Sequence, residues 1–167
     1  FLSEAVKYHV LPLDDRTLER LNAANVGRPE LMGGRTTLNV FNGMIGMSEN
    51  AFINVKNRSH SITAEVENGT SGAILAQAGR FGGWSLYLKD GKPMYTYNFL
   101  GLQEYTVAAT EPLPAGKATI RFEFVYDGGG AGKGGVGTLF VNGTKVASGR
   151  IEQTQCCMFS ADEGADV

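Results

Sequence analysis

From Thr36 onward the chain alternates apolar and polar residues over short stretches punctuated by Gly, Asn and Asp. A period of two specifies β-strands rather than helices. The clearest case is Trp84-Ser85-Leu86-Tyr87-Leu88-Lys89, then Asp90-Gly91, then Lys92-Pro93-Met94-Tyr95-Thr96-Tyr97-Asn98-Phe99. Asp-Gly suits a two-residue type I′ turn, which requires positive φ at both positions. That turn pairs Lys89 with Lys92, Leu86 with Tyr95 and Trp84 with Tyr97. Trp84, Leu86, Leu88, Tyr95, Tyr97 and Phe99 then share one face, and Ser85, Tyr87, Met94 and Thr96 share the other.

A second hairpin turns at Asn142-Gly143, pairing Val141 with Thr144 and Leu139 with Val146. It places Leu139, Val141 and Val146 on one face, with Phe140 and Lys145 opposite. Between the hairpins, Ile120, Phe122, Phe124 and Tyr126 alternate with Arg121, Glu123 and Val125. Upstream, Ile62-Thr63-Ala64-Glu65-Val66 and Ala73-Ile74-Leu75-Ala76 complete the series. Strands at this spacing, with no helices between them, predict an all-β antiparallel sandwich or barrel. The expected inter-sheet core is Trp84, Leu86, Tyr95, Tyr97, Ile120, Phe122, Phe124, Leu139 and Val141.

Residues 1–35 read differently. Asp14 or Asp15 can N-cap a short helix with Leu18 and Leu21 on one face, and Gly27 and Pro29 oppose its continuation. This segment is expected to be a linker with a short helix, leading into a β-sandwich domain over 36–167. The 167 residues suit one domain, which buries about two-thirds of the surface its unfolded chain exposes. A hydrophobic content of 43% makes a packed core feasible. The net charge of -2 leaves no general footprint for nucleic acid or an anionic membrane surface. No apolar run approaches the roughly 18 residues of a membrane-spanning helix. The start, Phe1-Leu2-Ser3-Glu4, has neither an initiator Met nor a signal-peptide pattern, which reads as a fragment.

The chemistry-bearing motifs are sparse. Gly132-Lys133-Gly134-Gly135-Val136-Gly137 matches a dinucleotide fingerprint as a string, but a strand, not a helix, is expected to follow it. The same stretch fails as a phosphate loop, with Asp127 where the first Gly belongs and Gly134 where Ser or Thr must hold magnesium. An inter-strand loop is the reading. His9 and His60 have no Cys or His at ligand spacing and read as surface or strand histidines. The only cysteines are Cys156 and Cys157, so no disulfide framework exists. A vicinal disulfide or a soft-metal site is one reading of the pair. On a strand, however, neighbouring side chains point to opposite faces, so one buried and one exposed thiol is expected.

Ser160-Ala161-Asp162-Glu163-Gly164-Ala165-Asp166 offers oxygen ligands for calcium. It lacks the spaced carboxylates and closing Glu of an EF-hand loop, so a solvated acidic loop is expected. Asn57, Asn68 and Asn142 head glycosylation triplets, which matter only in a secreted eukaryotic chain. Trp84, Tyr95 and Tyr97 fall on the core face, leaving Tyr87, Tyr105 and Phe81 as the exposed aromatics that could contact a glycan. No nucleophile and base pair can be assembled around the two histidines, so the residues specify no catalytic group and no cofactor.

Three runs carry a resemblance: Ser61-Ile62-Thr63-Ala64-Glu65-Val66, Gly72-Ala73-Ile74-Leu75-Ala76-Gln77-Ala78-Gly79 and Gly83-Trp84-Ser85-Leu86-Tyr87-Leu88-Lys89-Asp90-Gly91. They resemble concanavalin A-like and laminin G-like domains, which implies a jelly-roll sandwich. More narrowly, Tyr8 to Arg16, Ser48-Glu49-Asn50-Ala51-Phe52 and Phe159 to Val167 resemble the C-terminal region of large bacterial arylsulfatases. Such enzymes hydrolyse sulfate esters with a formylglycine made in a Cys/Ser-x-Pro-x-Arg motif beside calcium. That motif is absent here: Cys156 precedes Cys157 and Met158, and no Pro or Arg follows. The resemblance therefore implies a non-catalytic accessory domain, partnered by a sulfatase catalytic domain and periplasmic or secreted. A carbohydrate-binding module of the laminin G-like class is the alternative. Family members continue past Gly-Ala-Asp-Val with further strands, so an open sheet edge and pairing into a homodimer are also expected.

Overall fold

The computed structural model describes residues 1–12 and 31–167. The helix expected near Asp14 to Leu21 lies outside the described residues. The chain divides into two compact units, Phe1–Glu30 and Leu31–Val167. In the first, α1 (Leu2–Lys7) is a short helix with only Ala5 buried, and Glu4 in its first turn and Lys7 in its last both complement the helix dipole.

The second unit is a β-sandwich. Its strands are β1 (His60–Glu67), β2 (Gly72–Gly79), β3 (Gly82–Lys89), β4 (Lys92–Phe99), β5 (Gln103–Ala108), β6 (Lys117–Tyr126), β7 (Gly135–Val141), β8 (Thr144–Ile151) and β9 (Ala165–Asp166). They form a four-stranded sheet in the order β1-β6-β7-β8 and a five-stranded sheet in the order β5-β4-β3-β2-β9. Every pairing is antiparallel.

The β3–β4 hairpin has the register its sequence specifies. Lys89 faces Lys92, Leu86 faces Tyr95 and Trp84 faces Tyr97. Asp90 and Gly91 adopt φ of 52° and 75°, the left-handed values of a type I′ turn. The β7–β8 hairpin departs from expectation. Val141 does face Thr144, but Leu139 faces Ala147 rather than Val146, because a bulge follows the turn. The reason is parity. Without the bulge, Ser148 and Arg150 would join the inward-facing Leu139, Gly137 and Gly135. With it, Ala147, Gly149 and Ile151 face inward and Arg150 faces out. Ile151 is fully buried, and exposed Arg150 makes a two-pronged pair with Asp127 at 2.8 and 2.5 Å.

Eight of the nine expected core residues are buried. Val141 is the exception, half-buried at the end of β7 beside the Asn142-Gly143 turn. At the centre, the Tyr95 and Phe122 rings stack across the two sheets with centroids 3.6 Å apart, and Trp84 lies beside Tyr95 at 6.0 Å. Leu75 of β2 and Val107 of β5 join this core, and Phe52 and Phe159 extend it beyond the strands.

Candidate functional site

The sandwich interior holds one polar cluster at the edge of the aromatic core. Glu49 precedes β1 in the chain, and its carboxylate accepts hydrogen bonds from the Phe159 N–H at 2.9 Å and the Ser160 N–H at 3.4 Å. Its other oxygen pairs with the Lys56 ammonium. Lys56 is itself buried, with its charge 5.0 Å from the centre of the Phe159 ring. A buried cation needs such a partner, since desolvation alone would cost several kcal/mol, on the order of the domain's whole stability.

Asn57 extends the cluster. It sits at φ 57°, a left-handed conformation that Asn tolerates better than most residues. Its side chain donates to the Cys156 carbonyl at 2.6 Å and accepts from the Gly132 N–H at 2.8 Å. The amide nitrogen is therefore engaged, so the Asn57-Arg58-Ser59 triplet is a structural brace. Asn68 and Asn142 serve similarly, each at positive φ and each accepting a backbone N–H, from Gly116 at 3.1 Å and Thr119 at 2.9 Å.

A cavity of about 10 Å³, about the room one water needs, lies beside this cluster. Val55, Lys56, Asn57, His60, Tyr97 and Phe159 are among its walls. Burial holds the His60 imidazole below its ordinary range, with the Arg58 carbonyl acting weakly the other way. Its Nε2 is buried without a hydrogen-bond partner. Burial pushes the Tyr97 hydroxyl well up, and that oxygen accepts the Gln155 N–H at 2.7 Å. A neutral imidazole, a neutral phenol and a closed ion pair around so small a space can brace loops. They cannot admit an organic substrate, and they contain no activated nucleophile.

The three aromatics proposed for glycan contact do not converge. Phe81 is 71% exposed in the β2–β3 turn, with the Arg80 guanidinium 5.8 Å from its ring centre. Tyr87 is half-buried on the outer face of the five-stranded sheet. Its hydroxyl meets that of Thr96 at 3.1 Å, which in turn meets Thr106 at 3.0 Å. Tyr105 is half-buried on the opposite face, opposite Tyr97 and packed on the core. Its expected exposure is corrected by register: β5 pairs so that Tyr105 and Val107 point inward.

The cysteines also differ from expectation. Cys156 and Cys157 lie in a bend after β8 rather than on a strand, so both thiols are half-buried. The Cys156 side chain beside it, together with burial, pushes the Cys157 thiol up to about 11, against a smaller favourable effect of Lys56. The glycine-rich loop leads into strand β7, not a helix. Tyr126 pins this loop, donating to the Gly130 carbonyl at 2.6 Å and accepting from the Lys133 N–H at 2.8 Å. In the acidic loop, Asp162 and Glu163 are exposed, while Asp166 accepts the Gly46 N–H at 2.7 Å. Among the described residues, no three His, Cys, Asp or Glu side chains gather as a metal site.

No family model and no curated protein matches the chain in sequence. Among solved structures, it is similar to domains LG4-5 of the mouse laminin alpha1 chain. The two are 16% identical with a TM-score of 0.50, over 65% of this chain and 28% of that one. The chain has a laminin G-like fold. At that identity the likeness concerns the sandwich alone, and the interior cluster above is read from this chain's own residues. Sequence reasoning missed that cluster because most of its contacts join distant parts of the chain, 99 residues apart between Asn57 and Cys156 and 111 between Glu49 and Ser160. An isolated Glu-x₆-Lys pair carries no recognisable spacing signal.

Proposed function

We propose that this chain is a non-catalytic, laminin G-like accessory module of a larger enzyme, an arylsulfatase according to the resemblance of its sequence. The observation that carries the reading is the junction at Glu49. Two of the runs that resemble arylsulfatases, Ser48 to Phe52 and Phe159 to Val167, meet there and close the sandwich. Glu49 holds the Phe159 and Ser160 amides, Phe52 and Phe159 enter the core, and Met47 bridges to Ala165. What resembles the enzymes is thus the part of the fold that holds itself together. The missing Cys/Ser-x-Pro-x-Arg motif agrees with this. The purified chain, assayed with an aryl sulfate with and without calcium, is expected to give no hydrolysis above buffer. Metal-dependent turnover would overturn the non-catalytic reading. An in-frame Cys/Ser-x-Pro-x-Arg upstream in the coding DNA would establish the parent enzyme.

A carbohydrate-binding role is the second reading, favoured by one feature: the hydroxyl row Tyr87–Thr96–Thr106 across three strands of one outer face. Hydroxyls on a flat sheet beside a half-exposed ring can meet a sugar's own hydroxyls and apolar face. Binding on a glycan array that includes sulfated polysaccharides, abolished by Tyr87→Ala, is the expected result. A blank array would set it aside.

A further inference from the structure

The segment from Thr154 to Ser160 has no regular structure, yet side chains from several other elements fix its backbone. The Thr154 hydroxyl donates to the Lys133 carbonyl at 2.6 Å. The Gln155 N–H donates to Tyr97, the Cys156 carbonyl accepts from Asn57, and Glu49 takes the amides of Phe159 and Ser160. Cys156 and Cys157 occupy the bend in the middle, both as half-buried free thiols. Gly132 of the glycine-rich loop lies against them: a β-carbon there would fall 3.7 Å from that of Cys156. Met158 follows directly and is 37% exposed.

We infer that Cys156 and Cys157 form a preorganised chelating dithiol for a soft, thiophilic cation, Cu(I) foremost. Adjacent Cα atoms are about 3.8 Å apart, closer than the roughly 4.4–6.8 Å that an unstrained disulfide requires. Direct sulfur–sulfur closure is therefore strained. A metal ion bound at about 2.3 Å to each sulfur spans a wider gap and relieves that constraint. Thiolate and thioether donors favour soft cations, and so few of them fall short of the four ligands that zinc takes in structural sites, which leaves Cu(I) as the best match. In the binding step two S–H bonds release their protons to solvent, two S–Cu bonds form, and no electron is transferred. Because the loop is braced beforehand, little ordering accompanies binding.

The test uses the whole reduced chain under anaerobic conditions, titrated with Cu(I) against a chromogenic Cu(I) chelator. One Cu(I) per chain is expected, with the number of chains in the complex unchanged by loading. Losing an outer-shell partner alone costs metal sites about 10–100-fold in affinity. Cys156→Ser and Cys157→Ser each remove a ligand, so each is expected to weaken binding by about 100-fold or more. Wild-type protein provides a readout independent of variant folding. In the loaded chain both thiols should resist alkylation together, as read by intact mass. Undiminished affinity in either serine variant, alkylation of one thiol in the loaded chain, or copper that links two chains would each overturn the site.

Discussion

The two hairpins begin from the same turn chemistry and end in different geometry. Asp90-Gly91 and Asn142-Gly143 both take left-handed φ at both positions. Yet β3–β4 keeps its register over its whole length, and β7–β8 slips by one residue past Phe140. The difference lies in what the strands must place beyond the turn. In β4 the large residues Tyr95 and Tyr97 already stand in phase with the turn. In β8 the phase set by the turn is wrong for Ile151, the largest apolar residue at the strand's far end, and for Arg150 beside it. A turn fixes register only as far as the next buried side chain agrees with it.

The strongest way to break this comparison is Ile151→Arg, which puts a guanidinium at the inward position that the bulge gives to Ile151. Losing Ile151 burial costs about 1.5–3 kcal/mol, and an unpaired buried guanidinium adds several more. Together these approach the whole stability of a typical domain. No cooperative thermal transition is expected by circular dichroism. A sharp wild-type-like melt would show that the bulge is incidental.

A smaller effect is expected from emptying the place where both sheets meet. Phe122 is fully buried and stacks on Tyr95 across the sandwich. Phe122→Ala should cost about 3–5 kcal/mol in urea or guanidinium unfolding. A loss below about 1 kcal/mol would mean that the sheets do not depend on that stack.

How much of this was legible follows from the same physics. The β3–β4 register and eight of nine core residues were readable because turn type and alternation agree locally. The bulge was signalled by the adjacent Arg150 and Ile151, whose inside-outside order conflicts with the turn, but a reading that carries the turn's phase onward misses it. The clamps at Glu49 and Asn57 were not readable, since a carboxylate's partner amide 110 residues away leaves no local pattern. The cysteines were misjudged because a strand was assumed where braced coil follows β8.

Glycines sharpen the comparison further. In the slipped hairpin Gly137 faces Gly149, and a β-carbon on Gly137 would come 2.8 Å from the Phe122 ring. On Gly149 it would come 3.0 Å from Val107. The bulge thus sets Gly149 against Val107 and opposite the Gly137 that lies beneath Phe122, whereas β4 has no glycine within it. Gly137→Ala should overpack this site and cost about 1–3 kcal/mol, read as a lower denaturation midpoint with an unchanged slope. An unchanged midpoint would show that the ring can move aside.

The smallest effect separates the two sheets by pH. His60 opens β1 and faces Phe124, with its ring 5.5 Å from that of Phe124 and 6.4 Å from that of Phe122. Burial lowers its affinity for a proton in the folded state, whereas the unfolded chain binds one at the ordinary value near 6.5. Between those two values the unfolded state holds more protons, so stability falls as pH drops below about 6.5. Above that value the effect is absent, and below the folded value it is complete. The five-stranded sheet has no histidine, so the dependence enters through the β1 edge of the four-stranded sheet. The Asp127 carboxyl, held low first by its hydrogen bond to Arg150, acts in a separate window below the usual carboxylate range. Its loss of stability begins only as pH falls under about 4. A thermal midpoint that falls between pH 7 and 5 in wild type and stays level in His60→Gln is the expected result. Equal slopes in the two proteins would place the proton elsewhere.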